Sequence, residues 1–252
     1  MTKPDNDGSF ISHLAELRKR LIQSFVFLII FFIGCYFFAE HLYGFLVEPY
    51  AKAVKNDGTE RRLIFTALQE TFLTYLKVSF FAAFFVTCPF ILMQIWKFIA
   101  PGLYKHEKIA IVPYLILTPI LFFLGGMLVY YLIMPLAIKF FLSFESIGGN
   151  GALPIQLEAK VNEYLSLIMR LILAFGLCFQ LPVALTLMAR VGLVSSEGLK
   201  KNRKYVIVGI FAIAAILTPP DPISQIGLGI PILLLYELSI IAVSFIEKRK
   251  NS

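Results

Sequence analysis

Six long apolar runs constrain this chain more than any other feature of its sequence. A helix that crosses a bilayer needs roughly 17–25 mostly apolar residues, and the chain supplies such runs with short polar stretches between them. The sequence is 58% hydrophobic and 15% charged, whereas soluble domains are about 25% charged. We therefore predict an all-α polytopic membrane protein that forms a single domain, residues 1–252. The predicted spans are 21–39, 72–96, 111–141, 165–189, 205–218 and 223–246, and the mixed stretch 40–71 is expected to form a long loop between the first two.

The distribution of lysine and arginine predicts the orientation of these spans. With both termini in the cytoplasm, fifteen basic residues fall in inner segments and five in outer ones. Basic residues concentrate in cytoplasmic loops, so we predict six spans with an N-in, C-in topology. The same rule accounts for the net charge of +7 without nucleic acid as a partner.

Three further expectations follow from the spans. The first is too long for the roughly 7–15-residue apolar core of a signal peptide, so we expect a retained helix. The two halves show no repeat, which disfavours an inverted-repeat transporter. The fifth has 14 residues, about 21 Å of helix against a hydrocarbon core of roughly 30 Å. We expect it to thin the bilayer locally, which would lower the barrier to passing a large cargo.

A polar loop between the second and third spans holds an isolated acid. It reads FIAPGLYKHEK over residues 98–108, and Glu107 lies there among three lysines, Lys97, Lys105 and Lys108. A single carboxylate in a basic membrane loop is a candidate site for a cationic partner.

A second acid lies just before the first span, in the stretch HLAELRKRL over residues 13–21. Leucines recur there at helical spacing, which predicts an amphipathic helix. Glu16 and Arg20 are four residues apart and share one face. Two interpretations remain open: an interfacial helix in which Glu16 pairs with Arg20, or a binding carboxylate.

Polar residues also occur within or beside later spans. Gln180 lies deep in the fourth span, where an amide must find a partner or lose hydration. Glu237 is the one acid within a predicted span, which by default suggests a function. The turn LTPPDPISQ, residues 217–225, joins the fifth and sixth spans, and Gln225 could hydrogen-bond another membrane helix.

Enzyme and metal signatures are missing from the sequence. It has no HExxH or GxSxG motif, and its three histidines are scattered. Cys35, Cys88 and Cys178 lie far apart in apolar runs, so we expect free thiols. We predict that the chain is not an enzyme and has no metal or cofactor.

These motifs together resemble the TatC family, the multi-spanning subunit of the twin-arginine protein translocase. The resemblance rests on HLAELRKRL, FIAPGLYKHE, AFGLCFQLP (residues 174–182) and LTPPD, in this order across six spans. It implies a receptor in the bacterial inner membrane that binds the paired arginines of signal peptides on folded cargo. It also implies TatA-like and TatB-like single-span partners, self-association in a receptor complex, transport driven by the proton gradient, and no cofactor.

The resemblance assigns roles to particular residues. Glu16, Arg18, Phe98 and Glu107 match its signal-peptide-binding positions, and two carboxylates suit two guanidinium groups because the forks between them are bidentate. Partner-helix contacts are implied for Gln180, Thr218 and Gln225, and structural roles for Pro49, Pro101 and Asp221. One departure is Gln180, where family members often carry a glutamate, so an ionised group at this position is not available to this chain.

Two other classes are weaker interpretations. A small-solute permease should bring polar groups together at the membrane midplane, where the sequence offers Gln180 and Arg170. An intramembrane enzyme should carry a nucleophile with a nearby base. Small single-span proteins encoded next to this chain would favour the translocase.

Overall fold

The computed structural model describes residues 6–55, 62–99, 112–146, 153, 155–218 and 222–250. In these residues the chain is helical apart from turns and two isolated β-bridges, Ile64 with Lys160 and Ser146 with Ile155. A π-helical turn, Val129–Ile133, links α4 to α5. The helices are α1 Asn6–Phe37, α2 Ala39–Lys55, α3 Glu70–Ile99, α4 Val112–Leu128, α5 Met134–Leu142, α6 Val161–Cys178, α7 Leu181–Arg190, α8 Ser196–Leu217 and α9 Pro222–Lys250.

Five stretches are long and apolar enough to cross a membrane among the described residues, in agreement with the predicted all-helical class. They are Ala15–Phe37, Glu70–Trp96, Val112–Leu142, Val161–Arg190 and Ser224–Lys248. The predicted fifth span falls in α8, which is helical throughout but begins with about two and a half strongly charged turns. Its apolar part is therefore too short to count as a span by length and composition alone.

The structure differs from the sequence interpretation in two places. The segment after the first span was expected to be a loop, but Ala39–Lys55 forms α2. Its side chains alternate between buried and exposed at helical spacing, so it packs as an amphipathic helix. The predicted fourth span is interrupted at Phe179–Gln180, because Pro182 lacks the amide hydrogen needed to continue α6.

The core lies where α4 and the π-helical turn pack against α6, with α5 packed beside them against α2. Its largest fully buried side chains include Phe122, Met134 and Phe175. At Gly125, a β-carbon would lie 2.6 Å from the carbonyl oxygen of Phe175. Only glycine lets the backbones of α4 and α6 approach so closely, as small residues do in membrane helix pairs.

Large apolar side chains cover much of the outer surface. Phe25, Ile30, Leu132 and Phe245 are each more than half exposed. Exposed apolar surface of this extent marks a contact with lipid or with another protein. The described helices therefore present an apolar outer surface that suits lipid or another membrane protein.

Candidate functional site

The seam between α1 and α3 carries a polar cluster at one end of the helices. Arg20 donates from Nε to Glu16 Oε1 at 3.0 Å and from Nη1 to Gln94 Oε1 at 2.7 Å. Farther along, Phe27 stacks on Phe90 with ring centroids 4.4 Å apart. The interpretation that Glu16 pairs with Arg20 is confirmed.

These contacts fix the register of two antiparallel helices. Arg20 lies level with Gln94, and residues earlier in α1 lie level with residues later in α3. Glu16 is one turn before Arg20, and Phe98 is one turn after Gln94. Because the helices are antiparallel, both residues lie about 5.4 Å from the Arg20–Gln94 contact in the same direction along the seam. The structure therefore brings Glu16 and Phe98 to the same end of the seam.

Of three other site residues from the sequence, one lies in the described helices and two do not. Arg18 lies on α1 with its side chain exposed to solvent or headgroups. Glu107 and Pro101 lie outside the described residues, in the segment 100–111 that follows α3. Because α3 ends at Ile99, that segment starts directly after Phe98 and Ile99.

Gln94 is the residue of this cluster that sequence reasoning missed. The spacing of Glu16 and Arg20 predicted their pairing. Gln94 is a single amide in a long apolar run, so no spacing linked it to either residue. Its hydrogen bond from Arg20 joins two helices that are 74 residues apart at this point in the chain. A pattern with helical spacing cannot show such a contact.

Two arginines also join neighbouring helices, Arg190 linking α7 to α4 and Arg203 linking α8 to α9. Arg190 donates to the hydroxyl of Tyr114 at 2.9 Å, and its guanidinium lies 5.4 Å from the centre of the same ring. Arg203 pairs with Glu237 at 2.7 Å, and both side chains are about half exposed (47% and 45%). Glu237 lies within the apolar stretch Ser224–Lys248, and it is ion-paired there rather than isolated.

The first part of α8 is strongly basic. Ser195 accepts a hydrogen bond from the backbone of Gly198 and caps the helix. Glu247 accepts from both the backbone and the hydroxyl of Ser196, which ties the end of α9 to the start of α8. The exposed cations that follow are Lys200, Lys201, Arg203 and Lys204.

The residues expected to contact partner helices are mostly inside the protein. Gln180 is 6% exposed, and its Nε2 donates to the carbonyl of Thr118 at 3.0 Å. Its Oε1 has no hydrogen-bond partner among the described residues. Thr218 is also 6% exposed and donates to Ala214 at 2.8 Å.

Gln225 is the most accessible of this group. It is half-buried, and its Nε2 lies 3.4 Å from the carbonyl oxygen of Phe211 on α8. Gln180 contacts α4 and Gln225 contacts α8, so the contacts seen do not join them into one patch. Asp221 lies outside the described residues, and Pro49 lies inside α2.

The described residues hold no group of three or more histidine, cysteine, aspartate or glutamate side chains arranged for a metal ion. The three cysteines are free thiols, as expected from their spacing. The main polar cluster in the described part of the chain is thus the guanidinium of Arg20, held by the carboxylate of Glu16 and the amide of Gln94.

Comparison with known proteins agrees with this arrangement. The sequence profile of the family described as "Sec-independent protein translocase protein (TatC)" matches residues 12–231. A protein of that name from Magnetococcus marinus is 49% identical over 98% of this chain and 88% of its own length. The corresponding protein of Escherichia coli strain K12 is 37% identical over 96% of this chain and 90% of its own.

Solved structures agree as well. A chain described as "Crystal Structure of Twin Arginine Translocase Receptor- TatC" superposes with a TM-score of 0.78 at 36% identity. The match covers 92% of this chain and 98% of that one. A second TatC structure, determined in DDM, also gives a TM-score of 0.78, at 38% identity.

The fold and these matches define a helical, multi-pass protein of the bacterial inner membrane that serves protein transport. The chain belongs to the TatC family and is a receptor-type component of the Sec-independent, twin-arginine protein translocase. Its relatives are named for transport rather than for catalysis.

Proposed function

We propose that this chain binds the paired arginines of twin-arginine signal peptides at the end of the α1–α3 seam. Glu16 and Glu107 would accept the two guanidinium groups, and Phe98 would pack against the apolar part of the peptide. Arg18 would orient Glu16 or hold α1 at the headgroups. The observation that carries the proposal is the Arg20–Gln94 hydrogen bond, whose register places Glu16 level with Phe98.

The chemistry of Glu16 supports this role. Its carboxylate already receives two nitrogens of one guanidinium, since Arg20 donates from both Nε and Nη2 to Oε1. Guanidinium–carboxylate bonds are charge-assisted and directional, and a lysine cannot reproduce the planar fork. A site built on two carboxylates would therefore prefer Arg-Arg to Lys-Lys.

We propose further that the single domain crosses the membrane six times, with α8 as the short fifth span and both termini in the cytoplasm. The basic first part of α8 and the basic end of α9 would then share the cytoplasmic side with Glu16. Alkaline phosphatase fused after residue 55 should be active, and a fusion after residue 250 should not. The opposite result would reverse the topology and remove Glu16 from the cytoplasmic face.

The partners follow from the same proposal. TatA-like and TatB-like single-span proteins would dock where Gln225 offers a half-buried amide, and copies of the chain would associate in a receptor complex. Gln180 and Thr218 are buried, so they would serve a partner only after α6 or α8 shifts. The proton gradient would drive transport of the folded cargo.

The decisive experiment is photocrosslinking from position 98. A photoreactive phenylalanine analogue replaces Phe98, and membranes are illuminated with an Arg-Arg precursor or its Lys-Lys variant. We expect strong labelling by the Arg-Arg precursor alone. We also expect Glu16→Gln and Glu107→Gln each to lower labelling and export at least tenfold, because each removes one charge-assisted fork of about 1.5–3 kcal/mol.

A matched control is Glu197→Gln, which neutralises an exposed acid in the first turn of α8. It should leave labelling and export unchanged. Equal labelling by the two precursors would overturn arginine recognition, and normal export by Glu107→Gln would remove that acid from the site.

A further inference from the structure

An apolar cavity opens on the outer surface of the helices, beside α2. It has a volume of about 440 Å³ and lies between α2, α3, α4, the π-helical turn and α6. Phe45, Met127 and Tyr131 line it and are each about half exposed or more, so its mouth faces the surroundings of the protein. Cavities of about 300–1,000 Å³ are the size of small-ligand sites.

The walls of this cavity are built by specific local features. Gly126 lines it, and a β-carbon there would lie 2.7 Å from the ring of Phe85. Phe45 stacks flat on Tyr130, with ring centroids 4.4 Å apart and an angle of 4° between the planes. The hydroxyl of Tyr130 lies 2.8 Å from the carbonyl oxygen of Phe45, which ties α2 to the π-helical turn. The cavity is therefore a fixed part of the fold.

A second cavity, with two lysines in its wall, adjoins the first. Its volume is about 270 Å³, and Tyr130 and Tyr131 line both cavities. Lys52 and Lys139 line only the second one. One end of the combined space is thus apolar, and the other end carries two ammonium groups.

The charges around the second cavity leave an excess of one positive charge. Lys52 pairs with Glu48 at 2.7 Å, and the hydroxyl of Tyr130 lies 3.1 Å from the same carboxylate. These hydrogen bonds, first from Lys52 and then from Tyr130, hold the pKa of Glu48 below its usual range, so it is ionised at neutral pH. Lys139 is exposed and forms no ion pair within the described part of the chain.

We propose that the two cavities together bind one anionic phospholipid, with an acyl chain in the apolar cavity and the phosphate between Lys52 and Lys139. A phospholipid joins a long apolar chain to a charged group. The two cavities have the same arrangement, one apolar and the other carrying two lysines. A lysine ammonium attracts a phosphate and donates charge-assisted hydrogen bonds to it, so the two lysines suit an anionic headgroup. The site is separate from the proposed signal-peptide site, because the α3 residues that line the cavity, 81–86, come at least two turns before Gln94.

A peptide fits this space less well. A helix with its side chains is about 10–12 Å wide, too wide for a cavity of this volume to admit. An extended segment would bring backbone amides that need partners, and the Tyr130 hydroxyl is already engaged by Phe45 and Glu48.

Native mass spectrometry of the detergent-purified full chain tests the assignment. Phosphatidylglycerol and phosphatidylcholine with the same chains are titrated separately, so that they differ only in headgroup charge. We expect a saturable single phosphatidylglycerol adduct and at least fivefold weaker binding of phosphatidylcholine. The double variant Lys52→Gln/Lys139→Gln should lower the phosphatidylglycerol affinity at least fivefold and leave phosphatidylcholine binding unchanged.

Two further variants separate charge from shape. Lys201→Gln/Lys204→Gln makes the same charge change on the exposed start of α8 and should bind both lipids as the unmodified chain does. Ala82→Phe places a ring into the apolar cavity from α3 and should weaken binding of both lipids, with its melting temperature reporting that it folds.

Three results would overturn the proposal. Equal binding of the two lipids would show that the lysines do not read the headgroup. An equal loss of phosphatidylglycerol affinity in Lys201→Gln/Lys204→Gln would show that only the net charge of the protein matters. Competition between an Arg-Arg signal peptide and the bound lipid would assign the cavity to the peptide.

Discussion

Arg20 is expected to compete with the signal peptide for Glu16. In the structure its guanidinium donates to Glu16 Oε1 from Nε at 3.0 Å and occupies the carboxylate that we propose for a peptide arginine. The two side chains are 22% and 36% exposed, so solvent screens the pair. Arg20→Gln removes both the competing guanidinium and one local positive charge.

The size of the effect follows from this geometry. A partly exposed pair four residues apart on a helix is worth about 0.5–1 kcal/mol. A peptide arginine that no longer has to displace it should gain that amount, so we expect Arg20→Gln to tighten peptide binding about two- to fivefold.

Fluorescence anisotropy of a labelled Arg-Arg peptide, with the protein in nanodiscs at 0.15 M salt, measures the dissociation constant. A double-mutant cycle with Glu16→Gln isolates the pair: Arg20→Gln should have no effect once Glu16 is an amide. Lys19→Gln is the charge-matched control, since Lys19 is exposed and pairs with no acid in the described residues.

The reasoning is refuted if Arg20→Gln weakens binding, because Arg20 would then orient Glu16 instead of competing for it. It is also refuted if Arg20→Gln and Lys19→Gln tighten binding equally. That result would leave only a general electrostatic effect.

Three other perturbations test the fold and its link to transport. Gly125→Ala drives a methyl group against the Phe175 backbone and should cost about 1–3 kcal/mol of stability, seen as a lower melting temperature; Gly209→Ala, with open space around it, should not. Gln180→Leu removes the unpaired Oε1, so the melting temperature should stay the same or rise. If the Gln180 amide contacts single-span partners, the variant should also recover less of them in a pull-down. Four leucines inserted into the apolar part of α8 would lengthen it by about 6 Å and should impair export; unchanged export would contradict bilayer thinning.

The helical class of the protein was predictable because apolar runs of membrane length leave few alternatives. All but one of the predicted spans coincide with a long apolar stretch in the structure, and the fifth lies within the continuous helix α8. The pairing of Glu16 with Arg20 was also predictable, since it depends on a spacing of four residues within one helix.

Other features were not predictable from local patterns. The segment that forms α2 was expected to be a loop, because its mixed composition matches both a polar connection and an amphipathic helix. Glu237 was singled out as an isolated acid, and its partner Arg203 comes from the neighbouring helix. Gln180 and Thr218 were matched to partner contacts, and the sequence did not show that both would be buried between helices of this chain.

The sequence by itself determined that the chain is a helical membrane protein, which stretches are long and apolar enough to cross a bilayer, and which acids stand in basic surroundings. Those properties depend on residues that are near one another in the chain. Only the tertiary structure decided that Arg20 meets Gln94, that Glu16 lies level with Phe98, and that Tyr130 joins an apolar cavity to a basic one. These contacts depend on the register between packed helices, and that register is fixed by the close fit of side chains that no single helix contains.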